Sequence, residues 1–242
     1  MQLRDKRVLV IGGSSGIGFA VAGAAIGAGA RVTIASSNSG RLRDAVDRLG
    51  GRCDSAVLDV TREAAVADYF AGSAPFDHIA FTAADWAQVE HGEFARTDLE
   101  ASEVLFRVRF WGALAVAKHG ATRMNPGGTL ILTNGMAAHR PQKGLAVATG
   151  MAGAIEHLVM GLAVELAPLR VNGVCPGAIR TEAWDDVPEE FRNFQEARLA
   201  AQLLPRAGTP DEVAEAYLYL MRGTYTTGQT LRVEGGWSLS AG

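Results

Sequence analysis

The chain has 242 residues, enough for one large α/β core or at most two small domains. Its 48% hydrophobic and 20% charged residues are ordinary for a globular protein, and a net charge of −3 argues against a polyanionic partner such as nucleic acid. No apolar run approaches the roughly 20 residues that span a membrane, and Met1-Gln2-Leu3-Arg4-Asp5 carries no signal-peptide pattern.

Strand and helix patterns alternate along the chain. Val8-Leu9-Val10-Ile11 is a short apolar run of the kind that is buried on both faces of a sheet. A glycine turn follows, then a small-residue helix to about Ala28. Val32–Ala35 is the next strand, and a helix runs from Arg41 to about Leu49 with Leu42, Ala45, Val46 and Leu49 on one face. Ser55–Leu58, a helix over Glu63–Phe70, and the strand His78–Phe81 come next. One long helix is expected over about Ala101–Met124, then a strand over Thr129–Thr133 and a second long helix over about Thr149–Leu166. Arg170–Val174, a looser segment from Ala183 to Leu204, a helix over Pro210–Met221 and the strand Thr230–Val233 complete the pattern. This rhythm predicts a single doubly wound domain: a parallel seven-stranded sheet covered by helices on both faces. Cys53 and Cys175 are far apart and show no metal-ligand spacing, so no metal site is expected and a reduced, cytoplasmic compartment is.

The chemistry-bearing motif is Gly12-Gly13-Ser14-Ser15-Gly16-Ile17-Gly18, between the first strand and the first helix. Glycines permit a tight turn and close backbone approach to a pyrophosphate. The helix N-terminus offers free N–H groups and the positive end of its dipole. The alternative is a glycine turn that serves packing alone.

The spacing of Gly12, Gly16 and Gly18 resembles the fingerprint of the short-chain dehydrogenase/reductase family, with Ile11 where the family usually has threonine. Three further stretches match in order: Leu58-Asp59-Val60-Thr61, Arg170 to Thr181 as R-V-N-x-x-x-P-G-x-x-x-T, and Gly228 to Gly236. The resemblance implies a Rossmann-type oxidoreductase fold holding a nicotinamide dinucleotide. It implies that Asp59 and Val60 lie by the adenine, that Thr82, Ala83 and Ala84 follow strand four at the family's N-N-A-G, and that Pro176, Gly177, Ile179 and Thr181 lie near the nicotinamide. It also implies a homodimer or homotetramer through the two long helices, with Gly150, Gly153, Ala154, Gly161 and Ala163 allowing close backbone approach.

About 20 residues after Gly16 the position that would carry a carboxylate for NAD is Ser36. Ser36, Ser37 and Asn38 can donate hydrogen bonds to a 2′-phosphate and Arg41 adds charge, which favours NADP(H) over NAD(H). The alternative is a polar loop that caps the next helix.

The family's catalytic groups do not align. Its serine falls on Gly135, its tyrosine on Ala148, its lysine on Ala152 and its asparagine on Arg109. The candidates left are Arg109, which holds an anion but shuttles no proton at neutral pH; Asn134, a donor to a carbonyl oxygen; and His139, in the loop after strand five. Arg109 is expected to reach from its helix into the space beside Ala148 and Ala152; the alternative turns it outward to a subunit contact. Trp86 and Trp111 are candidates to line the cleft, with core or interface packing the alternative for Trp111, and the Trp184, Phe191 and Phe194 of the looser segment, which is expected to cover the cleft, point to an apolar small-molecule substrate. Three functions are open: an NADP(H) oxidoreductase with substituted acid–base groups, a cofactor-binding pseudoenzyme acting as sensor or structural partner, and a non-redox enzyme reusing the pocket.

Overall fold

The computed structural model describes residues 3–84, 93–184, 196 and 199–240. Trp86, Phe191 and Phe194 lie outside the described residues. The strands are β1 (Arg7–Ile11), β2 (Arg31–Ser36), β3 (Cys53–Val57), β4 (Phe76–Phe81), β5 (Met124–Thr133), β6 (Arg170–Pro176) and β7 (Thr230–Val233). They form one sheet in the order β3-β2-β1-β4-β5-β6-β7. Every pairing is parallel. The expected doubly wound architecture is therefore present.

The reason β1 reads as an unbroken apolar run is visible in its packing. Side chains alternate across a strand. Val8 and Val10 face one layer, with α1 (Gly16–Gly27) and a late helix over Pro210–Arg222. Leu9 and Ile11 face the other, with α3 (Glu63–Gly72) and the central helices. Both layers are apolar, so no polar alternation survives in the sequence. The edge strand β3 differs: Asp54 and Ser55 are exposed there.

The remaining helices are α2 (Ser39–Arg48), α4 (Leu99–Phe106), α5 (Gly112–Gly120), α6 (Ala146–Glu165) and α7, the helix Pro210–Arg222. Two expectations need correction. The helix expected to run unbroken from Ala101 to Met124 contains a π-turn, Arg107–Trp111, between α4 and α5, and it ends before Met124, which already belongs to β5. And α6, 20 residues with Glu156, His157 and Glu165 among them, is long and apolar enough by length and composition alone to cross a membrane. Its apolarity has a local cause: Met151, Ile155, Val159 and Leu162 pack on the sheet as part of the second core layer.

Beneath the sheet's C-terminal edge, a polar bridge joins the layers. Thr133 donates to the carbonyl of Phe81 at 2.6 Å, which leaves its oxygen to accept from the Tyr217 hydroxyl at 2.6 Å. Tyr217 is on α7 and fully buried, and burial pushes its phenol well above the usual tyrosine range. It is a tether between α7, β5 and β4.

At the opposite edge, His78 is 4% exposed and its Nδ1 has no partner among the described residues. Burial, helped by Arg170 and Lys6 and opposed by Asp77, pushes its pKa down to about 4. The unfolded chain titrates this group near 6.5. Between those values the unfolded state holds a proton that the native state refuses. Stability is therefore complete above about pH 6.5 and falls as pH drops toward 4. Comparing urea unfolding at pH 7 and pH 5, we expect His78→Gln to lose about 2 kcal/mol less than the parent chain over that interval. An unchanged difference would mean His78 is not the acid-sensitive group.

Candidate functional site

The C-terminal ends of β1 to β6 share one edge, and the sequence motifs collect there. The turn after β1 is set by close approach. A Cβ on Gly18 would lie 2.2 Å from the carbonyl oxygen of Gly12. One on Gly12, whose φ is +87°, would lie 2.6 Å from the Ala83 nitrogen, and one on Gly13 would lie 2.8 Å from Ile34 Cγ2. The packing role of these glycines is thus fully used. Thr82 sits inside the turn, its hydroxyl donating to the Ile11 carbonyl at 2.9 Å. Ser14 is buried and Ile17 packs on the first core layer.

Gly16 is different. It opens α1 with φ +53°, its N–H is free of intrahelical bonding, and Ser15 before it supplies no side-chain cap. No acidic residue occupies the first helical turn. The Gly16 N–H instead donates to the Glu182 carboxylate at 3.1 Å. A negatively charged group already rests where free N–H groups and the helix dipole favour one. Thr181 adjoins it, with Cγ2 3.3 Å from where a Gly16 Cβ would sit. The residues present fit the phosphate of a dinucleotide.

The neighbouring candidates are placed as follows. Asp59 folds back, accepting from the Thr61 N–H at 3.0 Å and its hydroxyl at 2.7 Å. Val60 is buried against Gly112 of α5. After β2, Asn38 caps α2 by accepting from the Arg41 N–H at 3.0 Å, so the capping role foreseen for this loop is realised. Ser36 accepts from the Asn38 N–H at 3.4 Å. Ser37 and Arg41 are exposed. At the end of β6, Gly177 backs onto Glu234, where a Cβ would meet Cα at 2.7 Å, and Ile179 is buried by its bridge to Gly208.

Across the cleft, Arg109 sits in the π-turn that precedes α5. A π-turn adds one residue to a helical turn and redirects the side chains after it. Arg109 is turned inward and is only 5% exposed, not outward to a subunit contact. Its Nη1 donates to the Asn134 carbonyl at 3.4 Å. Burial pulls its pKa down to about 10, with Tyr217 and Cys175 acting against that shift, so the guanidinium stays charged at neutral pH. Asn134 is 2% exposed; its N–H donates to Val174 at 2.8 Å, while both side-chain amide atoms lack a partner among the described residues. Such an amide is costly to leave unsatisfied. Next to it, the space a Gly135 side chain would fill is open. Ala148 and Ala152 are buried one turn apart on α6, Ala148 within the second core layer.

His139 faces α6. Its Nε2 lies 3.0 Å from Glu156 Oε2 on α6, close enough to pair although the N–H is not aligned for a hydrogen bond. Trp111 is 60% exposed on the outer face rather than in the cleft, and Trp184 stacks under Arg180 at 5.1 Å. Cys175 is buried beside Met136, which pushes its thiol up to about 12 and leaves it un-ionised. Among the described residues no group of three or more potential metal ligands occurs. Sequence reasoning missed Glu182, the Thr133–Tyr217 tether and the π-turn. Only Glu182 had a signal, its position directly after the Thr181 that ends the P-G-x-x-x-T stretch.

Comparison with known proteins agrees with this fold. The family model described as Enoyl-(Acyl carrier protein) reductase matches residues 12–238. The short-chain dehydrogenase/reductase malC of Malbranchea aurantiaca is 36% identical, covering 98% of this chain and 96% of its own. The short-chain dehydrogenase/reductase ATR9 of Stachybotrys chlorohalonatus is 36% identical, covering 97% of each. Among solved structures, MalC reductase/Diels-Alderase from Malbranchea aurantiaca superposes with a TM-score of 0.89 at 36% identity over 98% of both chains. A small-chain dehydrogenase in complex with NADPH gives 0.84 at 30% identity, over 98% of this chain and 100% of that one. The chain belongs to the short-chain dehydrogenase/reductase family.

Proposed function

We propose that this chain, read as a single domain, binds NADP(H) and acts as an oxidoreductase on a small carbonyl or alcohol, with Arg109 and Asn134 standing where the family's Asn-Ser-Tyr-Lys set would act. One observation carries this reading: a buried guanidinium lies beside a buried, unsatisfied amide at the sheet edge that also holds the glycine turn. Bound nicotinamide would supply or accept the hydride. The N–H of Gly16, outside the intrahelical ladder and met by Glu182, offers a hold for pyrophosphate charge. The Asn134 amide can donate to an acceptor oxygen, and the fixed charge of Arg109 stabilises negative charge developing there. Arginine moves no proton at neutral pH. With Tyr217 engaged by Thr133, a proton completing an alcohol would come from solvent. The similarity to a protein described as a reductase supports the redox reading.

A second reading has its own observation. Alanines at 148 and 152 leave no titratable side chain at the two helix positions the family uses for acid–base work, which favours a cofactor-binding protein without turnover. NADPH oxidation followed across a panel of carbonyl compounds separates the two: turnover supports the oxidoreductase, and binding without turnover supports the pseudoenzyme.

The absence of a carboxylate at Ser36, and the NADPH held by a 30% identical structural neighbour, support NADP(H). By calorimetry we expect NADPH to bind more tightly than NADH, and Ser36→Asp to reverse that order. Equal affinities in the parent chain would overturn the preference.

Arg109→Ala should weaken binding of NADPH or of an anionic substrate by about tenfold, the effect of losing roughly 1.4 kcal/mol of charge-assisted contact. Normal binding by the variant, with its fold intact by circular dichroism, would remove Arg109 from the pocket's function.

We further propose a homodimer or homotetramer built on α4, α5 and α6. A Cβ added at Gly150, Gly153 or Gly161 of α6 would meet nothing within 4 Å, and Trp111, Met160 and Val164 are exposed, Val164 at 81%. Such a surface permits close helix approach between copies. Light scattering at micromolar concentration should give the mass of two or four chains, and Gly153→Leu should lower it. A monomeric mass for the parent chain would reject the assembly.

A further inference from the structure

The contact between Glu182 and the start of α1 has a consequence for how the dinucleotide would enter. This inference rests on the reading that the glycine turn holds that cofactor. Glu182 follows Thr181 and begins a short helical turn, Glu182–Trp184, that leads into the segment before α7. It lies 166 positions from Gly16 in the chain, yet its Oε2 accepts the Gly16 N–H at 3.1 Å. Its Oε1 accepts from Arg48 Nη2 of α2 at 3.4 Å. Arg48 is itself positioned by α1, its guanidinium lying 4.1 Å over the Phe19 ring. The carboxylate is thus gripped from the helix terminus on one side and from a seated cation on the other.

Burial raises the Glu182 pKa, but hydrogen bonds from its own backbone, Gly16 and Arg48 outweigh this and hold it below the ordinary carboxylate range. Glu182 is an anion at neutral pH. Asp211 and Glu215 of α7 line the same groove of about 590 Å³ beside α1, as do Arg48 and Arg180. A pyrophosphate reaching the α1 terminus would meet the Glu182 carboxylate at the donor it needs. Like charges cannot share one donor without repulsion. The Glu182–Arg48 contact is half exposed on both sides, so its hold is weak and reversible.

We propose that Glu182 is a built-in competitor of the cofactor: it occupies the phosphate donor at Gly16 in the cofactor-free chain and leaves it, remaining with Arg48, when a dinucleotide binds. The residue then sets dinucleotide affinity without being a cofactor ligand, and ties the Glu182–Trp184 turn to the cofactor's arrival. Adenosine 2′-monophosphate, which lacks a pyrophosphate, is the control ligand. Glu182→Gln keeps the size of the side chain and an acceptor oxygen but removes the charge.

The test uses the full chain and two readouts. Calorimetry should show Glu182→Gln binding NADPH three- to tenfold more tightly than the parent, with affinity for adenosine 2′-monophosphate unchanged. Hydrogen exchange should show the Gly16 amide less protected in cofactor-free Glu182→Ala than in the parent, and equally protected in both once NADPH is added. Equal or weaker NADPH binding by Glu182→Gln, in a parent that does bind NADPH, overturns the competitor role and leaves the dinucleotide reading standing. Failure of both the parent and the variant to bind any nicotinamide dinucleotide overturns the dinucleotide reading, and the competitor role with it.

Discussion

Much of this molecule hangs on the approach of Gly18 to the carbonyl oxygen of Gly12, where no side chain has room. That contact lets α1 start directly over the end of β1. It also lets Thr82 enter the turn and bond to Ile11, which locks the end of β4 to the end of β1. With those two strand ends fixed, the N–H of Gly16 faces the cleft with no other helix donor work to do. The same small-residue requirement recurs at Gly112, where a Cβ would meet Val60 Cγ2 at 2.8 Å, so α5 is drawn onto the loop after β3. The cleft is shaped by where backbone can touch backbone, and its chemistry is added afterwards.

The other side of the cleft answers a different demand, the burial of a permanent charge. A guanidinium loses much on leaving water and is tolerated only with partners. The π-turn aims Arg109 at the backbone carbonyl of Asn134, and the low-polarity surroundings that depress its pKa also strengthen its field. Tyr217 and Cys175 lie within electrostatic reach and both stay protonated. The cleft therefore carries a fixed positive charge with two protonated groups, Tyr217 and Cys175, within its reach.

The fold was legible in the sequence because its signals were backbone signals. Val8–Ile11 announces a doubly buried strand, and Gly12-x-x-x-Gly16-x-Gly18 announces a turn that only glycine can make. The parallel pairing follows from the alternation of strands and helices, whereas the strand order came from the structure. What the sequence hid were features set by tertiary geometry. Nothing in Arg107–Trp111 distinguishes a π-turn from the α-helix around it. Tyr217 reads as one apolar position of an amphipathic helix, and its bond to Thr133 joins residues 84 apart. Asn38 was ambiguous between phosphate donor and helix cap, and the bond to Arg41 gives it the cap. The positions of Arg109 and Asn134 came from aligning motifs, whereas their mutual contact and the unsatisfied amide required coordinates.

The strand order also bears on how the chain assembles as it is synthesised. β1 pairs with β2 on one side and with β4 on the other. Once Val57 has been added, β2 can pair with β1 and β3 with β2, but the second edge of β1 stays open until Phe76–Phe81 has emerged. An open, apolar strand edge is a template for pairing with other chains. During that interval the glycine turn lacks Thr82 and Ala83, the residues that close over it. The half of the sheet carrying the phosphate site is thus made before the other half, yet it stays unsealed until β4 and the Thr82–Ala83 that follow it have been added.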